Sequence, residues 1–219
     1  MKIFVLISLL LVLSFYTKGQ LRLGVKAGYN NAWADYPNQP NIVKRSISAV
    51  QFGVVGELTV KKLLLKSHIL FNQKGNYHDN SRIIIDDNQW ITYRLNYLET
   101  NILAGYKFKF SKHMGLSIAA GPYIGLGLSG REKGSGLNLL GSYYIDRKLE
   151  FSNVKILNNK DVNFKPFDFG VDLNTSINYK KYFLYLNFSK GLVDRTSSTS
   201  SEWKSRNNVF SAGVGYFFK

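Results

Sequence analysis

The feature that most constrains this sequence is a series of alternating segments joined by links that are by turns short and long. Large apolar residues alternate with small or polar ones in eight segments, at residues 20–30, 48–60, 63–75, 88–110, 114–129, 165–179, 182–190 and 207–218. Such alternation predicts β-strands with one apolar and one polar face. The links at 61–62, 111–113 and 180–181 are short, whereas those at 31–47, 76–87, 130–164 and 192–206 are long.

This alternation of link lengths predicts the fold class. An antiparallel ribbon with short turns on one side and long loops on the other is typical of an outer-membrane barrel, whereas a soluble sandwich would mix the two lengths. We therefore expect an all-β, eight-stranded, antiparallel up-and-down transmembrane β-barrel, in the outer membrane of a Gram-negative cell and with periplasmic termini. The last strand must pair with the first, because an open edge is not tolerated in hydrocarbon. Tyr216 and Phe218 are then the terminal aromatic assembly signal.

The N-terminus is interpreted as a signal peptide over residues 1–19. Lys2 precedes an apolar run from Ile3 to Phe15, and we place the cleavage site before Gln20. The alternative is an N-terminal membrane anchor, but this run is shorter than the ~20 apolar residues that a spanning helix needs. Residues 20–219 are the predicted barrel domain.

The two faces of the strands predict what lies outside and inside the barrel. The apolar faces suit lipid, and the opposite faces carry charges of both signs that we expect to pair in the lumen. The predicted network of lumen residues is Arg22, Lys26, Glu57, Lys66, His68, Glu99, Lys107, Asp168 and Asp172. Side chains just fill an eight-stranded barrel, so we expect a plugged lumen. A narrow channel is an alternative.

The fourth segment is about twice as long as the ~9 to 11 residues needed to cross a membrane. Its apolar residues also change parity, from Leu95 and Tyr97 to Leu98 and Ile102. We expect a bulge near Tyr97 and Leu98, with residues 98–108 crossing the membrane and the earlier half projecting outside.

Six stretches resemble a known family. They are "FNQKGNY", "LNYLETNILAGYKF", "AAGPYIGLGLSG", "FKPFDFGVDL", "FSKGLVD" and "RNNVFSAGVGYFF", and together they are similar to the PorT-like outer-membrane β-barrel family of Bacteroidetes. The resemblance implies an eight-stranded barrel inserted by the outer-membrane assembly machinery. It also implies an association of the name-giving members with a gliding and secretion apparatus. One departure is His68, which stands where the family pattern usually carries a glutamate.

Signals for catalysis are sparse. His68, His78 and His113 are the available histidine bases, and no pair of histidines or cysteines has metal-ligand spacing. "GLGLSG" matches a dinucleotide motif by letter, but a broken loop follows it instead of a helix. We expect no enzyme activity, metal or cofactor. The alternative is a lipid-modifying enzyme, because some small outer-membrane barrels have that activity.

The net charge of +15 raises the question of partners. An export signal argues against nucleic acid. Lysines at the short turns suit lipid headgroups or an acidic periplasmic protein, or they keep the interface soluble. Trp33, Trp90 and Trp203 fall in the predicted outer loops and are candidates for recognition. We expect a structural or interaction role, with outer-membrane lipid, the assembly machinery and another envelope protein as partners.

Overall fold

The computed structural model describes residues 19–38, 45–79, 90–138, 141–152, 164–196 and 204–218. Nine strands run through these ranges: β1 Gln20–Asp35, β2 Ile47–Val60, β3 Leu63–Asp79, β4 Trp90–Lys109, β5 Met114–Asn138, β6 Gly141–Leu149, β7 Phe167–Tyr179, β8 Tyr182–Gly191 and β9 Arg206–Phe217. In this part of the chain, no helix is long and apolar enough to span a membrane. Residues 1–18 of the predicted signal peptide lie outside the described ranges.

Eight of the strands form a closed antiparallel ring, which confirms the predicted fold class. Sequence neighbours pair from β1 to β5 and from β7 to β9, and β5 pairs with β7 directly. The ring is closed by β1 and β9, with Gly24 opposite Phe217 and Asp35 opposite Arg206. Closure leaves no ring strand with an unpaired edge along its membrane-facing length, as hydrocarbon requires.

The ring has two unlike ends. At the "turn end", the strands are joined by tight turns at 61–62, 110–113 and 180–181. Lys61 and Lys180 adopt left-handed backbone conformations there, with φ of 56° and 54°. The opposite end, where β3 ends and β4 begins, is called the "loop end" below.

Large apolar side chains cover the outside of the ring. We call this surface the "apolar belt"; its exposed members include Leu23, Val25, Phe52, Val54, Leu65, Ile69, Leu98, Ile102, Ile118, Ile124, Leu126, Leu128, Val171, Leu173, Leu184, Leu186, Phe210 and Val214. Ile102 and Leu184 are 61% and 60% exposed. Exposed apolar surface on this scale needs an apolar solvent, and the belt provides the face for lipid.

The prediction of a loop over residues 130–164 is wrong for the first half of that range. Strand β5 continues to Asn138 and turns back as β6, a strand that we did not predict. In this hairpin Gly130 lies opposite Leu149, and β5 also pairs with β4 as far as Trp90 and Ser135. The two strands therefore extend the wall of the barrel beyond the apolar belt.

The predicted change of parity within the fourth strand is also wrong. Leu95 and Tyr97 are buried on the same inward face as Glu99. The register does shift at Asn96 and Tyr97, as expected, but the extra residue lies on β5, because Tyr97 faces Gly127 while Asn96 faces Ser129. Leu128 is the residue left over, so β5 changes phase and β4 does not.

Candidate functional site

The lumen is the first candidate site, and strand alternation builds it. All nine predicted network residues are buried, with at most 8% of any of them exposed. They point inward because they occupy every second position on strands whose other face carries the apolar belt. The structure divides them into three groups along the barrel axis.

The group nearest the turn end surrounds Glu57. Its carboxylate is 2.5 Å from Arg22 and 2.5 Å from Lys107, and Lys66 lies 3.7 Å away. Strand register explains two of these contacts, since Glu57 lies directly opposite Arg22 on β1 and opposite Lys66 on β3. Lys66 also donates to Asn174, at 3.0 Å. Three cations therefore share one buried carboxylate and neutral hydrogen-bond acceptors.

The middle group contains Lys26, His68 and Asp172. The Lys26 ammonium lies 3.9 Å from the centre of the Tyr185 ring, in a cation–π contact. Asn101, opposite His68 in the register, donates to Asp172 at 2.7 Å and lies 3.1 Å from the His68 ring nitrogen Nδ1. Asn101 thus links the histidine to a carboxylate on the opposite wall.

The third group is centred on Lys74, a residue that the sequence analysis missed. Lys74 is fully buried and lies 2.5 Å from Glu99 and 3.0 Å from Asp168. Asn207 and Tyr123 also donate to Asp168, at 3.0 and 3.3 Å. The parity of β3 contained the missing signal, because Lys74 follows Lys66 and His68 at even spacing.

Arg195 closes the lumen at the loop end, and it too was missed. Only 1% of it is exposed, and it donates to Ser205 and Asn207 at 2.9 Å and also to Asn76. Its guanidinium lies 5.2 Å from the centre of the Phe164 ring. No periodic pattern marks this arginine, because it lies in the link between β8 and β9.

Polar groups around Arg195 fix the same end of the barrel. His78 hydrogen-bonds with Tyr36, and burial, together with the nearby Arg195 charge, lowers the pKa of His78 to about 4. Asp194 accepts hydrogen bonds from the backbone nitrogens of Thr196 and Ser205, at 3.1 and 3.0 Å. Although partial burial opposes it, these bonds lower the pKa of Asp194. The histidine is therefore neutral and the aspartate ionised at neutral pH.

Phe217 closes the lumen at the turn end. Its ring is 1% exposed, packs 4.7 Å from the Phe183 ring, and lies 3.9 Å from the Arg22 guanidinium. Gly215 makes room for this arrangement, since a Cβ there would lie 2.1 Å from the Phe183 ring. The alternation in the sequence predicted Phe218 as the terminal aromatic instead, but Phe218 points outward and is 55% exposed.

The structure describes two of the three predicted recognition tryptophans. The prediction that Trp33 lies in a loop is wrong. Trp33 lies within β1, where its ring is 6.2 Å from that of Phe188. Trp90 begins β4 and lies 6.4 Å from both Tyr77 and Tyr144. Trp203 lies outside the described residues. Trp33 lies on a strand because β1 extends five residues past its predicted end.

The second predicted aromatic, Tyr216, belongs to the outer surface near the turn end. Its ring is 5.2 Å from Tyr182 and 6.1 Å from Phe218. A groove of about 520 Å³ adjoins these rings on the outside of the barrel, lined by apolar residues that include Val25, Ile177 and Val214. This groove faces the membrane and is not a cavity of the lumen.

The described residues contain no group of three or more metal-ligating side chains. Of the three histidines, His68 lies in the lumen, His78 at the loop end and His113 in a turn. The expectation of no enzyme activity stays a prediction.

Together, the closed ring, the apolar belt and the charge-filled interior define a small membrane-spanning β-barrel. Residues 15–197 match the family described as "Outer membrane protein beta-barrel domain", and the chain belongs to this family. The family places the protein in the outer membrane. No curated protein matches the sequence closely enough to name a relative.

Two solved structures are similar to this chain. One is Ail, the attachment invasion locus protein of Yersinia pestis, in complex with the heparin analogue sucrose octasulfate. Its sequence is 12% identical to this chain, and the TM-score is 0.42. The match covers 91% of this chain and 99% of the Ail chain. Another is Neisserial surface protein A, which is 14% identical and has a TM-score of 0.45. The match covers 89% of this chain and 96% of that protein's chain.

Proposed function

We propose that this protein is a closed outer-membrane barrel that acts as a structural or interaction component of the cell envelope. In this proposal its termini and short turns are periplasmic and its loop end is outside. Membership of a secretion or other envelope complex, suggested by the resemblance to PorT-like barrels of Bacteroidetes, is the form of this role that we favour.

One observation carries the proposal: buried side chains occupy the lumen from one end to the other. Phe217 and Phe183 fill the turn end, Arg195 fills the loop end, and the three charged groups fill the length between them. A conducting pore needs a continuous water-filled path, and ion pairs between opposite walls obstruct it. Transport is therefore the weaker hypothesis.

The extended wall of the barrel supports an interaction role. Strands β5 and β6 continue past the apolar belt as a hairpin with exposed tyrosines, Tyr143 and Tyr144. Such a projection suits contact with another molecule, since tyrosine is enriched at protein interfaces. The barrel would anchor this hairpin at a fixed height above the membrane.

Planar bilayer recording tests the closed lumen. We expect the purified barrel to show no steady conductance, while an open porin reconstituted in the same way conducts. Reproducible single-channel steps from the unmodified protein would make transport the leading function.

Site-specific photo-crosslinking tests the interaction role. A photoreactive residue at Tyr144 in living cells should give a discrete adduct with another envelope component, and the same residue at Lys112 in a turn serves as the matched control. Identical adducts at both positions, or none at Tyr144, would argue against recognition through the hairpin.

A further inference from the structure

The outer surface of β4, β5 and β6 carries a group of adjacent cations beyond the apolar belt. Arg94 lies directly opposite Arg131, and Arg131 lies directly opposite Lys148. Lys133 is in the next row, opposite Asp146. We call these four cations the "basic face". Arg94, Arg131 and Lys148 are all exposed.

The basic face stands at a defined height above the belt. Below Arg94 comes a polar row in which Asn96 donates to Ser129 at 2.9 Å, and below that row the exposed Leu98 ends the belt. Arg94 lies four positions before Leu98, which corresponds to roughly 13 Å along a strand, or about 10 Å along the membrane normal after allowing for tilt. Long arginine and lysine side chains at this height reach the headgroup layer.

The charges of the basic face are only partly compensated within the protein. Asp146 accepts two hydrogen bonds from Arg131, at 2.6 and 2.7 Å, and lies 3.9 Å from Lys133. Arg94 donates to neutral groups, the Ser48 carbonyl at 2.8 Å and the Gln73 amide oxygen at 3.3 Å. Even with the exposed Glu150 counted beside Asp146, the four cations exceed the carboxylates by two.

Repulsion among these cations destabilises the sheet, and an external anion would relieve it. Like charges at directly opposite positions on neighbouring strands destabilise a sheet. Here three cations occupy one such row across three strands, on a surface that water and salt alone would only partly screen. A ligand with several negative charges fixed at this height would turn the repulsion into binding energy.

We propose that the basic face binds the phosphate groups of a phosphorylated glycolipid in the outer leaflet. Guanidinium groups bind phosphate through paired hydrogen bonds, and two of the three cations in the row are arginines. A membrane-anchored glycolipid presents its phosphates at a fixed depth beside the barrel wall, which a soluble polyanion does not. The proposal rests on the orientation given under Proposed function, with the loop end outside.

The binding experiment uses the full-length barrel in vesicles of phosphatidylethanolamine. The probe is fluorescent lipid A carrying two phosphates, compared with the same lipid after removal of both. The test variant combines Arg94→Gln, Arg131→Gln and Lys148→Gln. The matched control combines Lys62→Gln, Lys112→Gln and Lys180→Gln, which removes the same charge at the turn end. Heat-modifiable migration verifies that each variant is folded.

We expect the test variant to lose affinity for the phosphorylated probe by roughly fivefold for each cation, on the order of a hundredfold in all. The control variant should bind as the unmodified barrel does, and the dephosphorylated probe should bind weakly to all three proteins. Equal binding by the test variant and the unmodified barrel, or binding indifferent to the phosphates, would overturn the proposal. So would a soluble polyphosphate that binds in detergent as tightly as the lipid probe, since it would indicate a soluble ligand.

A separate measurement distinguishes failure of the site from failure of the orientation. A cysteine at Ser142, at the start of β6, should react with an impermeant maleimide on intact cells. Protection of that cysteine would show that the loop end is periplasmic. The basic face could then not bind a lipid of the outer leaflet, even if the vesicle experiment found phosphate binding.

Discussion

Lys74 shows what a charge needs in order to be buried inside a membrane barrel. It is enclosed by two carboxylates and by the Tyr123 ring, whose centre lies 4.1 Å from the ammonium. Glu99 lies on β4, next to the β3 strand that carries Lys74, whereas Asp168 lies on β7, so the second ion pair connects strands that are not neighbours in the ring. Removing one partner leaves the others without compensation in a site closed to solvent.

Replacement of Lys74 by Met should therefore destabilise the barrel strongly. We expect the free energy of unfolding to fall by roughly 3 to 5 kcal/mol, because Glu99 and Asp168 remain buried next to each other. Urea unfolding in phospholipid vesicles, followed by tryptophan fluorescence, measures the change. Glu99→Ala should also destabilise, and the double variant should lose less than the sum of the two single losses.

The control for this cycle is Asp146→Asn, which breaks an exposed ion pair with Arg131 and should change stability little. If Lys74→Met and Glu99→Ala both unfolded at the urea concentration of the unmodified protein, the lumen charges would have to be solvated, and a closed interior would be wrong.

Strand parity in the sequence identified nine inward residues of the lumen network, although it was not applied to Lys74. It placed Glu57, Glu99 and Asp168 on polar faces because alternation is a local property. It did not identify which charges meet, since Lys74 reaches Asp168 across the lumen and no spacing in the chain encodes that distance. Arg195 could not be found at all, because its burial depends on how a loop folds back over the barrel end.

Among the elements, the end of β9 and the residue that follows it combine two functions on opposite faces. Phe217 points inward and closes the lumen, and Phe218 points toward the membrane. Backbone bonds hold both residues in place: the Phe217 nitrogen donates to the Lys181 carbonyl at 2.7 Å and the Phe218 nitrogen to the Leu23 carbonyl at 2.8 Å. Stability and assembly are thus expected to depend on different aromatic rings.

Alanine substitutions should separate these two functions. Phe217→Ala empties the space beside Phe183 and should lower the free energy of unfolding by roughly 3 to 5 kcal/mol. Phe218→Ala removes an exposed ring, so we expect near-normal stability but slower appearance of the heat-modifiable form in the outer membrane. Deletion of residues 217–219 should leave the chain exported and poorly inserted. Normal insertion of the deletion variant would show that the terminal aromatics are not an assembly signal.

The hairpin of β5 and β6 shows where prediction of elements fails. The stretch after Gly130 contains three glycines and two serines before Tyr143, a composition that is typical of loops. Pairing with β4 on one side and β6 on the other overrides that composition, since each backbone group finds a partner. The eight ring strands were predictable because each combines alternation with a lipid-facing apolar side.

At the scale of the whole molecule, the orientation of the barrel is testable because the chain has no cysteine. A cysteine at Asn38 should react with an impermeant maleimide on intact cells, and one at Lys180 should react only after the outer membrane is permeabilised. The reverse pattern would place the short turns outside and would contradict periplasmic termini.

The pairing of β1 with β9 also dictates the order of events when the molecule forms. Gly24 finds its partner Phe217 only at the far end of the chain, so this seam cannot form until the last strand has been delivered. Non-local pairing of this kind folds slowly, because the entropy of the intervening chain is lost before the contact compensates for it. Until then β1 has an open edge, and the time a nascent barrel spends in that state sets how long it must be shielded from pairing with another copy.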